Sequence, residues 1–197
     1  MSCVISHRLK QGLSVYRVRY VRFEYRKSPV FMWNMKQVKL TARLKVLTGM
    51  IEDGASVADI GTDHGYLPVY LAQTGSAGHI IASDISAFSI KTAQKSADKY
   101  NVTDLITFII APGLDGIGPN DVDTVVIAGL GGETIRDIIG ETSWIQHSGV
   151  KLILQPQTKA GVLFRFLYDN GYEIREIKHV LERGKNYTII KAGGWTV

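Results

Sequence analysis

The stretch Val57-Ala58-Asp59-Ile60-Gly61-Thr62-Asp63-His64-Gly65-Tyr66 decides how the rest of the chain is read. Val57 to Ile60 is a short, largely apolar run of strand length. Gly61 and Gly65 then let the backbone turn sharply and come close to a ligand. Tyr66 to Gln73 follows as a helix, with Pro68 tolerated in its first turn, where a missing N–H costs nothing. Strand, glycine turn and helix in that order make one βα unit.

The same alternation repeats outward. Upstream, Leu40, Leu44, Leu47 and Ile51 recur at helical spacing, predicting an amphipathic helix that ends before Gly54. Downstream, His79 to Ala82 is a second strand, and Ser86 is the expected N-cap of a helix to Tyr100 whose Ile90, Ala93 and Ala97 share a face. Ile106 to Ile110, Thr124 to Ala128 and Lys151 to Leu154 are further strands. Helices are expected from Glu133 to Ile139 and around Val162, Leu163, Phe166 and Leu167, the latter stopped by Asn170-Gly171. Two adjacent strands close the chain, Glu173 to Leu181 and Tyr187 to Lys191. The short connection Glu182 to Asn186 forces them antiparallel. Five βα units imply an α/β fold: a mostly parallel, seven-stranded sheet covered by helices on both faces, ending in an antiparallel hairpin.

In open α/β sheets ligands bind beyond the carboxyl ends of the strands. The first such end carries Asp59 and Asp63 around a G-x-x-x-G turn, which lacks the G-x-G-x-x-G spacing of a nicotinamide-dinucleotide site. Two carboxylates disfavour pyrophosphate there and suit a ligand bearing an ammonium or a sulfonium. Asp84 stands 23 residues beyond Gly61 at the second strand end, the place where an acid takes ribose hydroxyls; helix capping is the alternative role. The fourth strand ends in Ala128-Gly129-Leu130-Gly131-Gly132, implying close approach by a ligand or another stretch of backbone. The fifth ends in Gln155-Pro156-Gln157, two amides held in a restricted turn and suited to a base edge or an ordinary polar loop.

The 197-residue chain has 45% hydrophobic and 21% charged residues, which excludes disordered and collagen-like classes. A single cysteine, Cys3, cannot form an internal bridge, so a reducing, cytoplasmic setting is expected. No apolar run is long enough for a membrane span, and the histidines lack metal-ligand spacing. The net charge of +5 is unevenly placed. Residues 1–34 hold seven basic side chains against Glu24 alone, which makes +6 and leaves −1 for residues 35–197. The leader's Tyr16 to Phe23 alternates arginine with aromatic or apolar residues, as an RNA-gripping strand would. An upstream start codon, with Met32 or Met35 opening the working domain, and a transit peptide are the other readings. Lys91, Lys95 and Lys99 share one helix face, a solvated stripe or a phosphate contact.

Leu40-Thr41-Ala42-Arg43-Leu44, the run from Val57 to Pro68, Ile127 to Gly132, Leu152 to Gln157 and Gly184-Lys185-Asn186-Tyr187 resemble, in order, motifs of the bacterial tRNA (adenine-22-N1)-methyltransferase family. The resemblance spans about residues 38–191. It implies a Rossmann-like class I methyltransferase that uses S-adenosylmethionine and modifies tRNA, with no metal. By position, Arg43 and the turn Asp59, Gly61, Asp63, His64 and Gly65 would hold the methionine part of the cofactor. Asp84 would take the ribose, Ala111, Pro112, Gly113 and Leu114 would border the adenine, and Ala128 and Gly129 to Gly132 would face the methyl group and target base. Asp63 is the carboxylate expected near the reacting centre, and Tyr66 and Gln157 are expected to receive the extruded base. Family members carry an acidic or amide residue where this chain has Pro112, and continue into a helical tail past the last strand, whereas Val197 follows Lys191 by six residues. Methylation of another RNA or a small molecule, and a non-catalytic cofactor- or RNA-binding role, remain as alternatives.

Overall fold

The protein is described by a computed structural model covering residues 36–194. The basic leader, Cys3 and the two candidate start methionines lie outside the described residues. Within them the strands are β1 (Ala55–Ile60), β2 (Ala77–Asp84), β3 (Thr107–Ile110), β4 (Thr124–Ala128), β5 (Lys151–Gln155), β6 (Glu173–Glu182) and β7 (Lys185–Gly193). The helices are α1 (Ala42–Thr48), α2 (Tyr66–Thr74), α3 (Ala87–Lys99), α4 (Gly132–Glu141) and α5 (Ala160–Asp169).

All seven strands join one sheet in the order β3-β2-β1-β4-β5-β7-β6. The first five in that order are parallel, and β7 pairs antiparallel with both β5 and β6. The central strands are apolar along their length because both faces are covered. On one face Ala58, Ile60, Ile127, Leu152 and Leu154 meet Ile135 and Ile139 of α4 and Leu163 and Leu167 of α5. On the other, Val57, Val126, Ile153 and Ile189 meet Leu47 of α1, Leu67 and Leu71 of α2 and Ala97 of α3. Each fully buried aliphatic side chain contributes about 1.5–3 kcal/mol relative to exposure.

The caps explain the helix bounds. Thr41 accepts from Leu44 N–H and Ser86 from Ser89 N–H, so α3 starts where Ser86 predicts. The helix expected over Leu40 to Ile51 is shorter, because Thr41 caps it after Leu40 and Gly49 ends it. Leu40 and Met50 still pack into the interior from either side of it. The expected five-residue hairpin connection also differs. The strands run to Glu182 and from Lys185, leaving Arg183-Gly184 as a two-residue turn with φ of 50° and 76°. Positive φ at both central residues is the type I′ turn that matches strand twist.

Candidate active site

Strand additions reverse direction beside β1, which has β2 on one side and β4 on the other. A crevice forms at the carboxyl ends of strands at such a switch point. On the β1–β2 side, Gly61 N–H and Thr62 N–H both donate to the Ser83 carbonyl, at 2.8 and 3.0 Å. Asp63 takes φ 50°, and its N–H donates to Asp84 Oδ2 at 3.2 Å. Asp84 Oδ1 accepts from Ser86 N–H at 2.9 Å. One carboxylate therefore fixes the glycine turn and the entry to α3 together, so its capping role does not compete with a ligand role. A carboxylate has about four acceptor positions, and two remain.

Asp59 is 6% exposed, and Thr62 Oγ1 donates to its Oδ2 at 2.7 Å. Burial, reinforced by the charge of Asp84 and opposed by the Thr62 bond, pushes its pKa up to about 7. Gly65 is left-handed, and a Cβ there would stand 2.8 Å from Ala93 Cβ, so α2 approaches α3 only because that position is bare. At the mouth of the turn the His64 and Tyr66 rings stack at 5.4 Å with 17° between planes, Tyr66 being 42% exposed. Ala111 N–H donates to the Asp84 carbonyl at 3.1 Å, which brings Ala111-Pro112-Gly113 alongside the same strand end.

A second group forms on the β5–β7 side. Arg43 Nη1 donates to Gln157 Oε1 at 2.8 Å, and the guanidinium lies 4.8 Å over the Tyr187 ring. Arg43 N–H donates to Glu182 Oε2 at 2.8 Å, which holds that carboxyl below its ordinary pKa. The Arg43 Nε is buried without a hydrogen-bond partner among the described residues. Gln157 thus presents its amide nitrogen, its oxygen being taken by Arg43.

Leu130 links the two groups. Its side chain would touch a Cβ on Gly61 at 3.3 Å, and its carbonyl accepts from Gln157 N–H at 2.7 Å. The glycines after β4 have separate causes. Gly129 takes φ 80° with open space around it, and its N–H donates to the Gln155 carbonyl. Gly131 bridges Thr158, and Gly132 N–H donates to the Thr158 carbonyl at 2.9 Å. A Cβ on Gly132 would collide with the Lys159 backbone. Backbone rather than ligand therefore accounts for Gly132, and the two loops continue the β4–β5 pairing past the strands.

Residues 40–190 match the family model described as "Methyltransferase domain". The chain is 32% identical over 158 residues to the tRNA (adenine(22)-N(1))-methyltransferase of Bacillus subtilis, covering 80% of this chain and 66% of that protein. It superposes on the crystal structure of the Bacillus subtilis M1A22 tRNA methyltransferase TrmK with a TM-score of 0.74 and 31% identity, covering 81% of this chain and 68% of that one. The chain belongs to the tRNA (adenine-22-N1)-methyltransferase family. The crystal structure of a Streptococcus pneumoniae protein of this family, Sp1610, described as a putative tRNA (m1A22) methyltransferase in complex with S-adenosyl-L-methionine, superposes with a TM-score of 0.75 and 29% identity, covering 81% of this chain and 75% of that one. The chain spans about two thirds of the length of the Bacillus subtilis relative, 66%.

In this family member two residues at the end of β2, Ser83 and Ile85, show their placement only in the fold. Ser83 is fully buried, and Gln155, one of the two amides expected to suit a base edge, is instead fully buried at the end of β5; Ser83 Oγ and Gln155 Oε1 lack partners among the described residues. Ile85, directly after Asp84, is 73% exposed. Tyr187 lay within a quoted motif, but its pairing with Arg43 links residues 144 apart in sequence. Among the described residues no cluster of His, Cys, Asp and Glu fits a metal ion, and no helix is long and apolar enough to cross a membrane.

Proposed function

We propose that residues 35–197 form an S-adenosylmethionine-dependent methyltransferase domain that methylates N1 of an adenine in tRNA, at position 22 as the name of the Bacillus subtilis relative states. The observation that carries this reading is the convergence of Asp59, Asp63 and Asp84 on one glycine turn at the sheet's switch point. The donor set suits the cofactor. Carboxylates complement its ammonium and sulfonium, Asp84 has acceptor positions left for ribose hydroxyls, and exposed Ile85 offers apolar surface beside it. The unpartnered Ser83 and Gln155 oxygens add polar capacity at the same strand ends. When bound, S-adenosylmethionine supplies an electrophilic methyl group.

Adenine N1 carries its own lone pair and no proton, so no general base is needed and the residues' task is alignment. The exposed His64–Tyr66 stack forms an aromatic surface on which an extruded base can rest. Gln157, its amide oriented by Arg43, is placed to donate to an acceptor on the base edge. Asp63 is exposed at the mouth of the turn, where its carboxylate offsets the positive charge that methylation leaves on the base. A tRNA-modifying role places the protein where tRNA is processed, in the cytoplasm.

Asp59 makes cofactor binding pH-dependent. Its raised pKa stabilises the ligand-free fold below the unfolded value of 3.8, and this contribution is lost as pH rises through about 7. A cationic cofactor group favours the ionised form, so binding expels the proton. Affinity should fall about tenfold from pH 8 to pH 6, and Asp59→Asn should flatten the profile. Calorimetry across that range checks both. The assignment itself is tested by methyl transfer with labelled cofactor. Label at adenine N1 of unmodified tRNA supports it. Label in another RNA or a small molecule would redirect the substrate, and absence of cofactor binding would mean a non-catalytic protein.

A further inference from the structure

The β6–β7 ribbon runs past the carboxyl end of β5, at the edge of the sheet where the Gly61–Gly65 turn also lies. β5 pairs with β7 only as far as Leu154↔Ile190, whereas β6 and β7 continue through His179↔Thr188, Val180↔Tyr187, Leu181↔Asn186 and Glu182↔Lys185. Because β7 is antiparallel to β5, its amino end extends past the carboxyl end of β5, as the Gly61–Gly65 turn does past β1. The five steps from Ile190 to Lys185 reach about 17 Å.

The ribbon is braced on one face. Val180 and Ile189 are buried in the core that includes α1, Arg43 stacks on Tyr187, and the Glu182 carboxylate is held by the Arg43 N–H. The tip is then left with two exposed cations, Arg183 and Lys185, neither in an ion pair among the described residues. Arg183 also departs from local preference. The first central position of a type I′ turn, here at φ 50°, is one that Asn, Asp and Gly fill. A residue that breaks a local rule at a ligand-facing edge invites a functional reason. Residues 35–197 carry a net charge of −1, so any grip on a polyanion must come from a local patch.

We propose that Arg183 and Lys185, at the tip of the β6–β7 ribbon, grip phosphates of the RNA strand flanking the target nucleotide. This rests on the tRNA-methylation reading above. A planar guanidinium and an ammonium on a rigid two-residue turn suit backbone phosphates, and such contacts position the substrate without reading its sequence.

The test is an Arg183→Asn/Lys185→Thr variant of the full chain. Asn-Gly is the preferred type I′ pair and Thr favours strand, so the hairpin should be retained. Affinity for an unmodified tRNA transcript is measured at several salt concentrations, with KM and kcat for methyl transfer, cofactor affinity and melting temperature. The proposal expects tRNA affinity to fall about tenfold at low salt. It expects the slope of log affinity against log salt to shrink by about 1.5 for two lost phosphate contacts. KM for tRNA should rise, with kcat, cofactor affinity and melting temperature unchanged. An unchanged affinity and salt slope would overturn it. If the parent chain neither binds nor methylates tRNA, both this proposal and the reading beneath it fail. Parent activity with an indifferent variant removes the ribbon proposal alone.

Discussion

Replacing Asp84 with alanine is expected to weaken S-adenosylmethionine binding by at least about 100-fold, since two ribose hydrogen bonds to a charged group, each worth about 1.5–3 kcal/mol, together amount to about 3–6 kcal/mol. Asp84 Oδ2 holds the Asp63 N–H, and Oδ1 holds the Ser86 N–H. Removing the carboxylate releases Asp63 from its positive φ and frees the start of α3. On the proposed reading the ribose loses its acceptor at the same time. Asp84→Asn keeps one carbonyl oxygen and should fall between wild type and alanine. Calorimetric titration of each variant measures the ladder. A cofactor affinity for Asp84→Ala within threefold of wild type would remove Asp84 from the site.

The second large effect is on folding. Gly132→Ala places a methyl group against the Lys159 carbonyl carbon, 2.9 Å away, and the Thr158 oxygen at 3.0 Å, with the Lys159 oxygen closer still. These are backbone atoms, held by the Gly132–Thr158 hydrogen bond and the Gly131–Thr158 bridge. The loops after β4 and β5 must separate, costing about 3 kcal/mol, the upper part of the overpacking range. For a domain of this size that lowers the melting temperature by about 6–12 °C. Gly129→Ala is the informative contrast. Its Cβ meets nothing, and only the left-handed φ is penalised, about 1–2 kcal/mol. Thermal unfolding of the two variants should therefore rank Gly132 well above Gly129, and the reverse order would contradict the backbone-contact explanation.

How much of this was legible beforehand follows from the range of the interactions involved. The apolar runs of β1, β4 and β5 announce buried parallel strands because both faces are covered, and the capping role of Ser86 is a three-residue matter. Asp59, Asp63 and Asp84 were readable as strand-end acids. The pKa of Asp59 was not, since it depends on the depth to which the folded sheet buries it. The full length of the hairpin is not legible in the sequence because its outer pairs are exposed and charged, and Arg183 gives no type I′ signal. Arg43 was expected at the methionine end of the cofactor; its contacts with Gln157 and Glu182 span 114 and 139 residues, beyond any local pattern. Gly131-Gly132 illustrates the same limit. Glycine at a strand end implies close approach, but only the fold identifies Thr158 and Lys159 as what approaches.

The central claim is that the glycine turn and its three carboxylates serve methyl transfer to adenine N1 of tRNA. Its most direct test incubates the full chain with methyl-labelled S-adenosylmethionine and a tRNA transcript lacking the modification, then locates the label by nucleoside analysis. One methyl group per tRNA, on N1 of adenine 22 and abolished by Asp84→Ala, is the predicted result. Cofactor bound with ordinary affinity but no label in the tRNA would contradict the claim.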